Sequence, residues 1–113
     1  MTARGTTLAI AGMIGWDAEE KIVSPEFVPQ FRQALKNVRD VVETAGGTPA
    51  DVISLTIYVT DKQDYLGQIA DVGAVYREVM GKHFPAMALV QVAGLLETSA
   101  RVEIQGLAVI PDA

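Results

Sequence analysis

Val28, Phe31, Leu35, Val38 and Val42 recur every three or four residues, with Arg32, Lys36, Arg39, Asp40 and Glu43 filling the positions between them. That period predicts an amphipathic helix. Ser24 is placed to cap it, Pro25 suits its first position, and Gly46-Gly47 ends it. Pro29 falls in the first turns, where a missing N–H costs little. A second helix is predicted from the stripe Tyr65, Ile69, Val72, Tyr76 and Val79, closing at Gly81. Between the two, "DVISLTIYVTD" (51–61) alternates as a strand, with Ile53, Leu55, Ile57 and Val59 on one face and Ser54, Thr56 and Tyr58 on the other. "TTLAIAGMIG" (6–15) reads as a short apolar strand, and "WDAEEKIVS" as a turn into a weak strand or extended arm. "ALVQVAGL" and "RVEIQGLAVI" (101–110), joined by the turn "GLLETSA", supply the last pair. This order predicts one domain over residues 1–113. It is an α+β sandwich with two helices on one face of a mixed sheet.

The final two strands carry a further message. Both alternating sets hold large apolar side chains: Leu89 against Val90 and Val92, Ile104 and Ile110 against Leu107 and Val109. A sheet with one wet face alternates more cleanly. Two helices cover only one face, so neighbouring subunits are expected to cover the other. Composition points the same way, because 50% of the 113 residues are apolar and only 20% are charged. A domain this small has too much surface to hide them all alone.

Charge and cysteine usage narrow the function classes. A net charge of -5, with nine scattered Lys and Arg, disfavours nucleic acid and anionic membranes as partners. The absence of cysteine removes disulfide and thiolate chemistry. "MTARGTTLAIAGMIG" lacks the apolar region and cleavage site of a signal peptide, and no run is long enough to span a bilayer. A soluble cytoplasmic protein is expected.

Most candidate chemistry reduces to plain structure. There is no metal-ligand constellation and no phosphate loop, so no cofactor is expected. His83 sits between Gly81 and Pro85, a place for a loop or helix-end role rather than for a catalytic triad. Trp16 suits edge or interface packing. Glu103 is the informative charge, because it lies mid-strand between apolar neighbours. A carboxylate there either has a partner, with Arg101 two residues back the obvious one, or opens onto a wet cleft where it can move protons. Arg101, Glu103 and Gln105 form a polar stripe at period two.

"FPAMALVQVAGL" followed by "ARVEIQGLAVI" resembles the C-terminal signature of the RidA family, also called YjgF or L-PSP endoribonuclease-like. "LAIAGMIG" is similar to that family's S-G-Q-I-P strand, "QFRQALKNVRDVVETAGGTPADVISLTIYVTD" to its first helix and following strand, and "YREVM" to its second helix. The resemblance covers nearly the whole chain. It implies a chorismate-mutase-like subunit assembled as a homotrimer, with small-molecule clefts between subunits. It also implies hydrolysis of reactive enamines and imines to ketoacids and ammonia. Other members are described as ribonucleases or translation inhibitors.

The departures are as informative as the match. Where the family's deaminases carry an arginine after F-P-A, this chain has Met87, which cannot fork onto a carboxylate. The family's serine and glutamine fall on Ala11 and Met13, either side of Gly12; its asparagine falls on Gly73 and its cysteine on Leu89. The G-P-Y-S segment ahead of the first strand has no match here, which leaves room for residues upstream. Glu103 survives, with Gln105 in place of a second glutamate. The resemblance thus implies a divergent subgroup lacking the substrate-binding arginine. In that subgroup Glu103 is the acid/base, and the pocket comprises Ala11, Gly12, Met13, Tyr58, Gly73, Met87, Leu89 and Gln105. Met87, Leu89, Met13 and Tyr58 would form its apolar wall. The alternatives are a metabolite-binding or regulatory trimer without catalysis and, distantly, a ribonuclease.

Overall fold

The computed structural model describes residues 1–112. Its elements run β1 (Thr6–Ile14), α1 (Phe27–Thr44), a 3-10 turn (Pro49–Asp51), β2 (Val52–Val59), α2 (Lys62–Leu66), α3 (Ile69–Met80), β3 (Ala86–Gln91) and β4 (Val102–Ile110). The strands form one mixed sheet in the order β1-β4-β2-β3. β4 is antiparallel to both its neighbours, and β3 runs parallel to β2 at the edge. The α2–α3 segment is the crossover that a parallel pair requires. No helix among the described residues is long and apolar enough to cross a membrane.

The expected α+β class holds, with four local differences. The first helix begins at Phe27 rather than at Pro25, and Glu26 occupies the cap position. Ser24 Oγ instead accepts the Glu26 N–H at 3.1 Å in a turn before the helix. Pro29 is then the third helical residue, whose N–H has no intrahelical partner to lose. The weak second strand reduces to a single bridge between Trp16 and Ile22. The second helix breaks into α2 and α3 at Gly67 and Gln68, leaving Ile69 exposed. In β2 the pairing with β4 shifts between Val52 and Ser54. Ile53 is the extra residue, so Val52 rather than Ile53 joins Leu55, Ile57 and Val59 in the core.

Helix α1 buries Phe27, Phe31, Ala34, Leu35, Val38 and Val42 against β1, β4 and α3. The β4 residues Val102, Ile104, Gly106 and Ala108 face it. α3 adds Val72, Tyr76 and Val79, then stops at Gly81, whose φ of 70° is a conformation that a side chain resists. Gly15, just past β1, has a packing role of another kind. A Cβ there would stand 2.6 Å from the Gln30 Cα, so the absence of a side chain lets the strand end touch the helix backbone. The opposite sheet face carries Ala9, Ser54, Thr56, Tyr58, Ala88, Val90, Gln105 and Leu107 by strand alternation and register.

Candidate functional site

The predicted site residues fall in two places, one on each side of the sheet. On the helix side, Met87 and Leu89 of edge strand β3 face α3, with Gly73 opposite them. Together with Phe31, Ile57, Tyr65, Val72, Tyr76 and Phe84 they line an apolar cavity of about 370 Å³. Met87 is 44% exposed at its mouth. The Tyr76 and Phe84 rings stack 5.3 Å apart, closing one end. Burial pushes the Tyr76 hydroxyl up to about 12, so it stays protonated and donates to the His83 carbonyl at 2.6 Å. His83 Nε2 in turn lies 2.6 Å from the Val52 carbonyl. That histidine holds the loop before β3 and is not free for catalysis.

Gly73 is the least expected member of this wall, because glycine in a helix interior costs about 0.5–1 kcal/mol relative to alanine. A Cβ there would meet only the Arg77 Nη1, at 3.4 Å. Gly73→Ala is therefore expected to raise stability by about 0.5–1 kcal/mol, read as a higher urea midpoint with an unchanged slope.

On the opposite side, Glu103 and Gln105 project from β4 beside Tyr58 of β2. The Tyr58 hydroxyl donates to the Gln105 Oε1 at 3.3 Å. The pairing of β1 with β4 shifts between Ile10 and Met13, so that Ala11 and Gly12 stand against Gln105 alone. This bulge brings Ile14 across from Glu103 and sets Gly12 against its carboxylate. A Cβ at Gly12 would lie 2.6 Å from the Glu103 Oε2. Gly12, Ile14, Trp16, Leu96, Glu97 and Glu103 surround a hollow of about 290 Å³. Its rim residue Leu96 is 102% exposed, an apolar side chain wholly in water.

Two expectations about side-chain partners are corrected here. Arg101 does not pair with Glu103: it precedes β4, and its guanidinium reaches Asp64 Oδ2 at 2.9 Å and the Pro25 carbonyl at 2.8 Å. The period-two stripe fails because the strand geometry starts only at Val102. Glu103 has no cationic partner among the described residues. Nor do Met87, Leu89, Met13 and Tyr58 make one wall within a chain. Met13 pairs with Ile104 and packs on the core, whereas Tyr58 lies on the far face of the sheet from Met87.

Gln30 was not singled out by the sequence reading, yet it is fully buried and central. Its Nε2 donates to the carbonyls of Ser24 (2.9 Å) and Ser99 (3.0 Å), and its Oε1 accepts the Arg101 N–H at 2.7 Å. It ties the turn before α1 to the start of β4. A hollow of about 610 Å³ lies near this clasp, lined by Pro25, Thr60 and residues of the 93–101 segment.

Known proteins share this fold. The family model described as endoribonuclease L-PSP matches residues 1–110. Relatives named 2-iminobutanoate/2-iminopropanoate deaminase, from Salmonella typhimurium and Homo sapiens, are each 33% identical over 108 and 104 residues. The alignments cover 93% and 91% of this chain and 80% and 72% of theirs. YyfB of the Rid protein family from Yersinia pestis has a TM-score of 0.84 at 30% identity, covering 94% of this chain and 80% of that one. The YjgF gene product of E. coli has a TM-score of 0.78 at 32% identity, covering 96% and 84%. With the family model spanning almost every residue, the chain belongs to the endoribonuclease L-PSP family, the RidA/YjgF proteins.

Proposed function

We propose that this protein hydrolyses an enamine or imine lacking a carboxylate next to its reacting carbon, in clefts formed where three copies meet through their open sheet faces. The observation that carries this reading is Glu103, a carboxylate held beside Gly12 with no cation paired to it. The helix-free face, where Val90 lies exposed on the same side as Leu107, supports the assembly. The deaminase names of the relatives support the reaction class. Joining edge strand β3 of one copy to the β1–β4 side of the next would bring the Met87 cavity to the Glu103 hollow.

The chemistry then needs few groups. Glu103 accepts a proton from water as the water oxygen bonds to the imine carbon, and the imine nitrogen gains a proton. The carbinolamine collapses, its hydroxyl losing a proton, to a carbonyl compound and ammonia. Backbone N–H groups near Gly12 and Leu89 would orient the substrate, while Met87 and Leu89 exclude water from its body.

The test is a choice of substrates generated in situ, 2-iminopropanoate against an uncharged imine of an alkyl aldehyde. The parent protein is expected to favour the uncharged imine. Met87→Arg is expected to raise turnover of 2-iminopropanoate by about tenfold or more, since a charge-assisted pair to a carboxylate is worth about 1.5–3 kcal/mol. Equal handling of both by the parent protein would overturn the reading. The loss of polar groups at Ala11 and Met13 favours a second reading, a trimer that binds a metabolite without converting it. Ligand binding with no product over hours would mark it. The ribonuclease role finds little support: His83 is committed to the Val52 carbonyl and Arg101 to Asp64, so neither is free to stabilise a phosphodiester transition state.

A further inference from the structure

The cavity between α3 and β3 is apolar inside, and the cation Arg77 stands beside its lining residue Gly73. Arg77 lies one helical turn beyond Gly73, and helix side chains lean toward the N-terminus. Its guanidinium therefore folds back over the glycine, with Nη1 3.4 Å from where a Cβ on Gly73 would stand. An alanine methyl at position 73 would only touch it, whereas a longer side chain would stand in this path. Arg32, Arg39 and Arg101 are committed to Glu78, Glu43 and Asp64. Arg77 is exposed, and no carboxylate among the described residues pairs with it. Glu78, its neighbour in the helix, is turned to Arg32.

We infer that this cavity takes an amphipathic monoanion, its hydrocarbon body lying against Val72, Met87 and Leu89 and its acidic group meeting Arg77 at the α3 rim. The inference deepens the proposed function and rests on it for the identity of the site. It reverses the polarity of the ligand: the acid lies across the cavity from β3, separated from the reacting carbon by the apolar body. A volume of about 370 Å³ lies within the roughly 300–1,000 Å³ usual for small-molecule sites. Arg77 is then a specificity-determining residue, and Gly73 is the gap that lets it reach the mouth.

The experiment compares octanoate with 1-octanol as probes, binding being read by calorimetry and by the NMR shift of the Met87 methyl group. The parent protein is expected to bind octanoate roughly fivefold tighter than octanol at low salt, with the preference shrinking as salt rises, as befits an exposed cation. Arg77→Gln should abolish the preference while leaving octanol binding and the Met87 shift intact, and Arg77→Lys should restore part of it. An octanoate preference unchanged in Arg77→Gln overturns the inference, as does equal binding of both probes by the parent protein or binding that leaves Met87 unperturbed. No turnover is needed for this readout. A protein that hydrolyses no imine can still show the preference, and one that depends on Glu103 for hydrolysis can still lack it.

Discussion

Gln30→Met is expected to lower folding stability by about 1–3 kcal/mol, because a fully buried amide is lost and three part-buried backbone groups lose their partners. Methionine matches the length and fills the space, so the loss is one of hydrogen bonding rather than of volume. The orphans are the carbonyls of Ser24 and Ser99 and the N–H of Arg101. They join segments 69 to 71 residues from Gln30 on one side and 6 on the other, so the damage spreads from the start of α1 to the start of β4. Urea unfolding should show a lower midpoint at constant slope. Gln30→Glu gives an independent readout. Its carboxyl would face two carbonyl oxygens and hold its proton above the usual carboxyl range. The variant should then be most stable at acid pH, below about 4.3 where the unfolded carboxyl is also protonated, and lose stability as pH rises through the raised folded value. A Gln30→Met protein within 1 kcal/mol of the parent would show that water replaces the clasp.

Gln30 also marks where sequence reading stops. Its position was available: three residues after Phe27 and four before Ala34, it lies on the stripe that buries both. A glutamine on an apolar stripe signals a buried hydrogen-bonding hub, but its partners, distant in sequence, are invisible until the chain folds. Periodicity served well where one helix or strand decides the outcome, as for α1, α3 and the alternation of β4. It failed at Ile53, where an inserted residue changes which face the chain presents, and it gave no sign of the bulge at Ala11–Gly12. No composition rule announces such bulges. The Arg101–Glu103 pairing failed for a related reason, since two residues share a face only if both lie within the strand. Of the candidate site residues, Glu103 stood out from its place in the strand, whereas Gly12, Gly73 and Met87 took their roles from the resemblance. Their division between two sides of the sheet was not legible, because it depends on β3 taking the edge beside β2 while β1 takes the opposite one.

Glu103→Gln is expected to reduce kcat for the preferred imine by about 10²–10⁴, the usual worth of a positioned general base. The substitution keeps size and the ability to hydrogen-bond, so Gly12, Ile14 and the β1 bulge need not move. KM should change little, because the body of the substrate rests against Met87 and Leu89 rather than on the carboxylate. Gly12→Ala offers a milder, geometric version. Its Cβ would occupy space 2.6 Å from Oε2, forcing the carboxylate aside while leaving its charge intact. Lower kcat in Gly12→Ala, with the carboxylate still present, separates its position from its mere presence. If Glu103→Gln keeps kcat within threefold of the parent, water is activated by another group. The unpaired carboxylate would then answer to assembly, as a partner for a cation on the neighbouring copy, and the effect of its loss would appear in the trimer mass rather than in the rate.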